Sequence, residues 1–154
     1  MTSTKATVSY PSELEVRMTR TFDAPRSKVF AAHSRPEHIA KWWGRGNPLD
    51  VQMDFRAGGQ YRFVEKAEDG EWAFRGEYLE IVDQEKILYT FEFEGLPGHV
   101  CVDTLEFTDA DGQTVLTSTT RFDNIEDRDG LVQSGMEAGA NQSYEALDRL
   151  LATL

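Results

Sequence analysis

Residues 33–44 read His33-Ser34-Arg35-Pro36-Glu37-His38-Ile39-Ala40-Lys41-Trp42-Trp43-Gly44. Pro36 donates no backbone hydrogen bond, so it ends the helix before it, and its fixed φ suits the first turn of a new one. The stretch therefore predicts two short helices in tandem, 25–33 and 36–41, closing on a pair of tryptophans. Asp23 is placed to cap the first helix and Pro25 to open it. Val29, Phe30 and Ala32 supply its inner side. Two short helices directly after one strand are an uncommon arrangement.

Upstream, Leu14, Val16 and Met18 alternate with Glu13, Glu15, Arg17 and Thr19, the period of two of a half-buried strand. Phe22 continues that apolar parity and Arg20 interrupts it. Residues 1–12 are polar and predict a flexible N-terminus, which leaves 13–154 as one domain. Downstream the pattern is all strand. Val51, Met53 and Phe55 alternate with polar residues, then Tyr61 and Phe63, then Trp72, Phe74, Gly76 and Tyr78, then Ile87, Tyr89, Phe91 and Phe93. Gly58-Gly59, Asp69-Gly70, 95–98 and Asp111-Gly112 mark the turns between them. Two further strands, 100–108 and 114–122, complete about seven, all antiparallel. From about 126 to 151 the spacing of Val132, Met136, Ala140, Tyr144, Leu147 and Leu151 predicts one long helix. Gly135 and Gly139 lie inside it at a cost of about 1 kcal/mol each relative to alanine. Close packing on the sheet is one reason to keep them; room beneath the helix is another.

Strand, two short helices with Trp42-Trp43-Gly44, Arg56-Ala57-Gly58-Gly59, a run of strands and a long closing helix, in that order, resemble the START-like (SRPBCC) superfamily. Within it the chain is most similar to the bacterial branch of heat-shock-protein-90 ATPase activator homologues. The resemblance spans about 14–151. It implies an α+β helix-grip fold: a curved antiparallel sheet wrapped on the C-terminal helix, with the two short helices closing one end. It also implies a cavity between helix and sheet, which periodicity alone does not reveal.

Composition narrows the partners. With 16 basic and 27 acidic residues the net charge is −11, which repels phosphate-rich nucleic acid and anionic membranes. No apolar run approaches the ~20 residues that span a bilayer, and the first residues lack the apolar core of a secretory signal. The expectation is a soluble, cytoplasmic protein. Cys101, the single cysteine, reads as a small buried hydrophobe. Exposed strand edges make a homodimer possible.

No motif for catalysis, metal or cofactor is present. There is no phosphate loop, no G-x-S-x-G, no His-Glu-x-x-His and no Cys-x-x-Cys; Gly44-Arg45-Gly46 and Gly58-Gly59 are too short for a dinucleotide loop. His33 and His38 flank a proline without sharing a helical face, so they read as caps or cavity lining rather than ligands. Trp42 and Trp43 close the short-helix end as core or as a cavity rim. The ligand-binding candidates are Arg20, Phe30, His33, Trp42, Trp43, Tyr61, Phe63, Phe74, Tyr78, Tyr89, Phe91, Leu131, Gly135 and Gly139. Aromatic residues would give the cavity the apolar walls usual for small-molecule sites. Arg20, on an inward parity, would orient a ligand, because a buried guanidinium needs a partner. Asp54, Arg56, Arg75, Glu77 and Arg121 read mostly as exposed ion-pair partners.

Three functions fit. A carrier or sensor of a small hydrophobic or aromatic molecule, with no covalent chemistry, leads. A polyketide cyclase- or dehydratase-like enzyme shares the implied fold and could use His33, Tyr61, Tyr78 or Glu77 for proton transfer. An ionisable pair inside the cavity with displaced pKa values would favour that reading. The third is an interaction module that regulates a chaperone ATPase.

Overall fold

The computed structural model describes residues 5–44 and 47–154. Residues 1–4 of the expected flexible terminus, and Arg45 and Gly46 of Gly44-Arg45-Gly46, lie outside the described residues. The fold is α+β, one curved antiparallel sheet of eight strands with four helices. In chain order these are β1 (Thr7–Ser9), β2 (Glu15–Phe22), α1 (Arg26–Ser34), α2 (Pro36–Trp42), β3 (Leu49–Met53), β4 (Gln60–Ala67), β5 (Gly70–Val82), β6 (Lys86–Phe93), β7 (Val100–Ala110), β8 (Gln113–Arg121), α3 (Ile125–Gln133) and α4 (Met136–Leu151). The sheet runs β1-β2-β8-β7-β6-β5-β4-β3, so β1 and β3 form its edges.

Two expectations need correction. The eighth strand is β1, whose Thr7, Val8 and Ser9 pair with Thr19, Met18 and Arg17. It lies within 1–12 and carries one apolar residue, so it offered no alternation to read. The long C-terminal helix is two helices. Gly135 stands between them at φ 90°, the left-handed region that costs an L side chain about 1–2 kcal/mol. It follows the C-cap of α3, where the Ser134 N–H donates to the Gly130 and Leu131 carbonyls, and is itself the N-cap of α4. Its glycine is thus required by backbone conformation rather than by packing or cavity volume.

The short helices fall as the proline predicts, joined at Arg35 in extended conformation. Pro25 is the N-cap of α1 and no side chain caps it; Asp23 instead accepts a hydrogen bond from Gln113 at 3.4 Å. The Trp42 indole N–H donates to the Ala32 carbonyl at 2.8 Å, which locks α2 onto α1.

The inner face of the sheet carries two buried clusters. The larger joins Phe22, Val29, Phe30, Ile39, Trp42, Ile87, Phe107 and Leu116 to Leu147, Leu150 and Leu151 of α4. The smaller joins Val16, Cys101 and Phe122, with Phe91, Leu131, Val132 and Met136 packed on it. Between them the helices stand off the sheet.

Candidate functional site

A cavity of about 380 Å³ fills that gap. Its floor comes from alternate residues of β4 to β8. Its roof is Leu131 of α3 with Met136, Gly139, Ala140, Ser143 and Tyr144 of α4. His33, Ile39, Trp42 and Trp43 close one side. Of the residues proposed from sequence, His33, Trp42, Trp43, Tyr61, Phe63, Phe74, Tyr78, Tyr89, Phe91, Leu131 and Gly139 all line it.

Arg20, Phe30 and Gly135 do not line it. Arg20 is buried, as its parity requires, but its guanidinium makes two hydrogen bonds to the Asp148 carboxylate of α4, at 2.7 and 2.6 Å. It also lies over the Phe22 ring at 4.6 Å. Arg20 is therefore a structural clamp between β2 and α4. Phe30 packs edge-on against Phe55 and Phe107 in the core. Gly135 serves the helix break. Glu77, eligible for proton transfer from sequence alone, is exposed and faces away from the cavity, into a groove on the outer face of the sheet.

The cavity is graded in polarity because β6 and β7 are in register. Phe91 stands opposite Cys101, Tyr89 opposite Asp103 and Ile87 opposite Leu105. Around Phe91 the walls are apolar. Trp43 meets Phe63 and Phe74 edge-on, both at 5.1 Å, and Phe74 stacks on Phe91 at 5.4 Å. Around Tyr89 they are amphipathic: the Tyr61 and Tyr78 rings lie 5.8 and 6.3 Å from it, and Tyr144 is close enough to interact with it electrostatically. The Tyr61 hydroxyl donates to the Thr90 carbonyl at 2.6 Å. It crosses β5 at Gly76, where a Cβ would stand 2.6 Å from the Tyr61 Oη and 1.9 Å from the Thr90 oxygen. Glycine is the residue that lets this bond form.

Asp103 sits at the tyrosine end. It is 9% exposed and accepts hydrogen bonds from the Thr120 and Tyr89 hydroxyls. Burial pushes its carboxyl up to about 6; the two hydrogen bonds pull the other way. Burial and the neighbouring Asp103 charge hold the Tyr89 hydroxyl well above the usual tyrosine range. Tyr144 is pushed up to about 12 chiefly by burial, with Asp103 adding to it. His33 shows the opposite case. Burial lowers it to about 4, and its Nδ1 lies 2.8 Å from the Val29 carbonyl. A carbonyl only accepts, so the proton is on Nδ1 and Nε2 is an acceptor.

Sequence reasoning missed Asp103 and a second buried carboxylate, Glu65. Both lay on legible parities: Asp103 with Cys101, Leu105 and Phe107, Glu65 with Tyr61 and Phe63. Glu65 is 3% exposed, lines the cavity beside Gly44, and accepts a hydrogen bond from Asn47 at 3.3 Å. Asp103 with Tyr89 is an ionisable pair inside the cavity with displaced pKa values, the observation that favours acid–base chemistry.

The outer-face groove, of about 670 Å³, lies over β3 to β6. Arg75 within it already pairs with Glu92 at 2.9 Å, and Arg62 with Glu94 at 2.7 Å. It reads as a solvated, ion-paired surface. Among the described residues no group of three or more His, Cys, Asp or Glu could hold a metal ion, and no helix is long and apolar enough to cross a membrane.

A family model described as activator of Hsp90 ATPase homolog 1-like protein matches residues 23–152. A solved structure from Rhodobacter sphaeroides is similar with TM-score 0.89 and 22% identity, over 97% of this chain and 99% of that one. Protein Ms6760 from Mycobacterium smegmatis is similar at 0.85 and 23%, over 95% and 96%. Protein CV1439 from Chromobacterium violaceum is similar at 0.76 and 28%, over 88% and 96%. At 22% and 23% identity, the first two establish the fold alone. No curated protein matches the sequence at a significant level.

Proposed function

The chain belongs to the activator of Hsp90 ATPase homologue 1-like family of the START-like superfamily, and from that premise we infer that it binds a small, largely apolar molecule in the cavity between sheet and helices. One observation carries the reading: about 380 Å³ of space walled by Trp43, Phe63, Phe74, Phe91 and four tyrosines, beneath the small residues Gly139, Ala140 and Ser143 of α4. Sites of this size and lining hold small molecules. A ligand hiding about 200 Å² of apolar surface gains about 5 kcal/mol at about 25 cal/mol per Å². Association entropy costs a comparable amount. Apolar burial alone therefore gives weak binding, and polar groups must add affinity and fix orientation.

Native mass spectrometry of freshly purified protein tests this. The expected result is a mass excess that vanishes on denaturation, or one that appears on adding a small aromatic alcohol. A chain that carries no adduct under either condition contradicts it.

A second reading is an acid–base enzyme of the same fold, favoured by Asp103. A carboxyl near 6, hydrogen-bonded to Tyr89, can take and return a proton near neutral pH. Turnover should then show a pH profile that Asp103→Asn abolishes while ligand binding survives; turnover insensitive to Asp103→Asn removes this reading.

A further inference from the structure

We propose that the cavity selects small lipophilic amines, with the protonated nitrogen at the Asp103 carboxylate among the tyrosine rings and the apolar body against Trp43, Phe74 and Phe91. This rests on the cavity being a binding site at all.

Three observations carry it. First, Asp103 is buried at the floor of an aromatic cavity, and among the described residues no lysine or arginine lines that cavity. An ionised carboxylate has about four acceptor sites, and Thr120 and Tyr89 occupy two. Capacity remains for a charged donor, and a buried charge is costly until paired. Arg20, the buried cation of this part of the fold, is already held by Asp148. Second, the rings around Asp103 are electron-rich. Tyr61 lies 5.3 Å from Tyr78 and 5.8 Å from Tyr89, centroid to centroid. Aromatic faces in such a group attract an ammonium ion, more so when it is desolvated. Third, no positive charge offsets Asp103 in the lining among the described residues: His33 is neutral, and the chain carries −11 overall. A carboxylate or phosphate ligand would meet like charge, and a neutral alcohol would use Asp103 without relieving its charge.

The test is calorimetric titration of the intact protein with phenylbutylamine, phenylbutanol and phenylbutanoate, which share one apolar body. At neutral pH the amine should bind about tenfold or more tighter than the alcohol, since it adds the attraction of opposite charges in a desolvated site to the hydrogen bond that either can give Asp103, and the acid should be weakest. Asp103→Asn keeps the shape and an acceptor for Thr120. It should lower amine affinity by about tenfold or more, and weaken the alcohol by clearly less, since the alcohol loses a charged acceptor but no opposite-charge pair. The amine preference should persist in added salt, which would screen the general field of the acidic surface. An alcohol that binds as tightly as the amine overturns the proposal and leaves the cavity reading standing. So does an amine preference untouched by Asp103→Asn. Failure of all three to bind contradicts both. The comparison of the three ligands on the unmodified protein stands even where the variant does not fold.

Discussion

Helix α4 meets the sheet in two ways along its length. Its last turns bury Ala146, Leu147, Leu150 and Leu151, and Leu147 is wholly inaccessible. Its first turns place Gly139, Ala140, Ser143 and Tyr144 over open space. The helix and the sheet are the same; what differs is that three of the inward residues at the open end, Gly139, Ala140 and Ser143, are small. Large aliphatic residues fill the gap to Phe22, Ile39 and Leu116 and make the core. Glycine, alanine and serine leave it unfilled over β5 to β7. The Arg20–Asp148 pair sits at the sealed end and ties that part of α4 to β2. One helix thus serves as anchor and as roof.

The largest expected difference is between removing bulk at the sealed end and adding it at the open end. Leu147→Ala should cost about 2–5 kcal/mol, as large-to-small changes in closed cores do. Urea unfolding measures it, and a loss under about 1 kcal/mol would mean that this end is not closely packed.

The next separates the two buried titrating groups. Asp103, raised from 3.8 to about 6, holds in the folded state a proton that the unfolded chain releases, so its contribution to stability falls as pH rises through that window. His33, lowered from 6.5 to about 4, contributes stability that grows as pH rises from about 4 to 6.5. The two oppose each other. Tyr61, Tyr89, Tyr144 and Cys101, which feel Asp103, stay protonated throughout because burial raises them all. Asp103→Asn removes the falling component. Relative to the parent it should gain stability as pH rises from about 4 to 6, by up to about 3 kcal/mol. A parent and variant that keep parallel pH–stability curves would place Asp103 in water rather than in the cavity.

Smaller still is the break between α3 and α4. Gly135→Ala puts a side chain at φ 90° and should cost about 1 kcal/mol. A neutral or stabilising result in thermal melts would mean that α3 and α4 run on as one helix. The smallest stability change is expected at the open end. Gly139→Leu should leave stability unchanged or raise it by up to about 1 kcal/mol through helix propensity, while abolishing ligand uptake. A loss above about 2 kcal/mol would mean that no free volume lies beneath it.

Legibility in the sequence depends on how local each signal is. Alternation marked seven strands and the parity of nearly every wall residue, because a strand's two faces are set by neighbours in sequence. Pro36 marked the paired helices for the same local reason. The same alternation put Arg20 inside, but not its partner: Asp148 is 128 residues away, and the choice between orienting a ligand and clamping a helix depends on that distant contact. Gly135 escaped because the spacing of Val132, Met136 and Ala140 runs unbroken across it. Asp103 and Glu65 were legible and overlooked, each a carboxylate on an apolar parity. Cavity volume was not legible, since it depends on how far α4 stands from the sheet. A fold shared across a superfamily does not carry a ligand or a reaction with it; the polar groups inside the cavity have to supply both.

The most direct measurement is an NMR titration of the labelled protein with phenylbutylamine, tracking amide shifts along α4. The expected result is large shifts at Gly139, Ala140, Ser143 and Tyr144, with matching shifts at Phe74, Tyr89 and Asp103 on the facing strands. Ala146 to Leu151 should stay still. Shifts confined to the outer-face groove around Arg62, Arg75 and Glu92, or spread evenly along α4, would contradict a helix that is anchor at one end and roof of a binding site at the other.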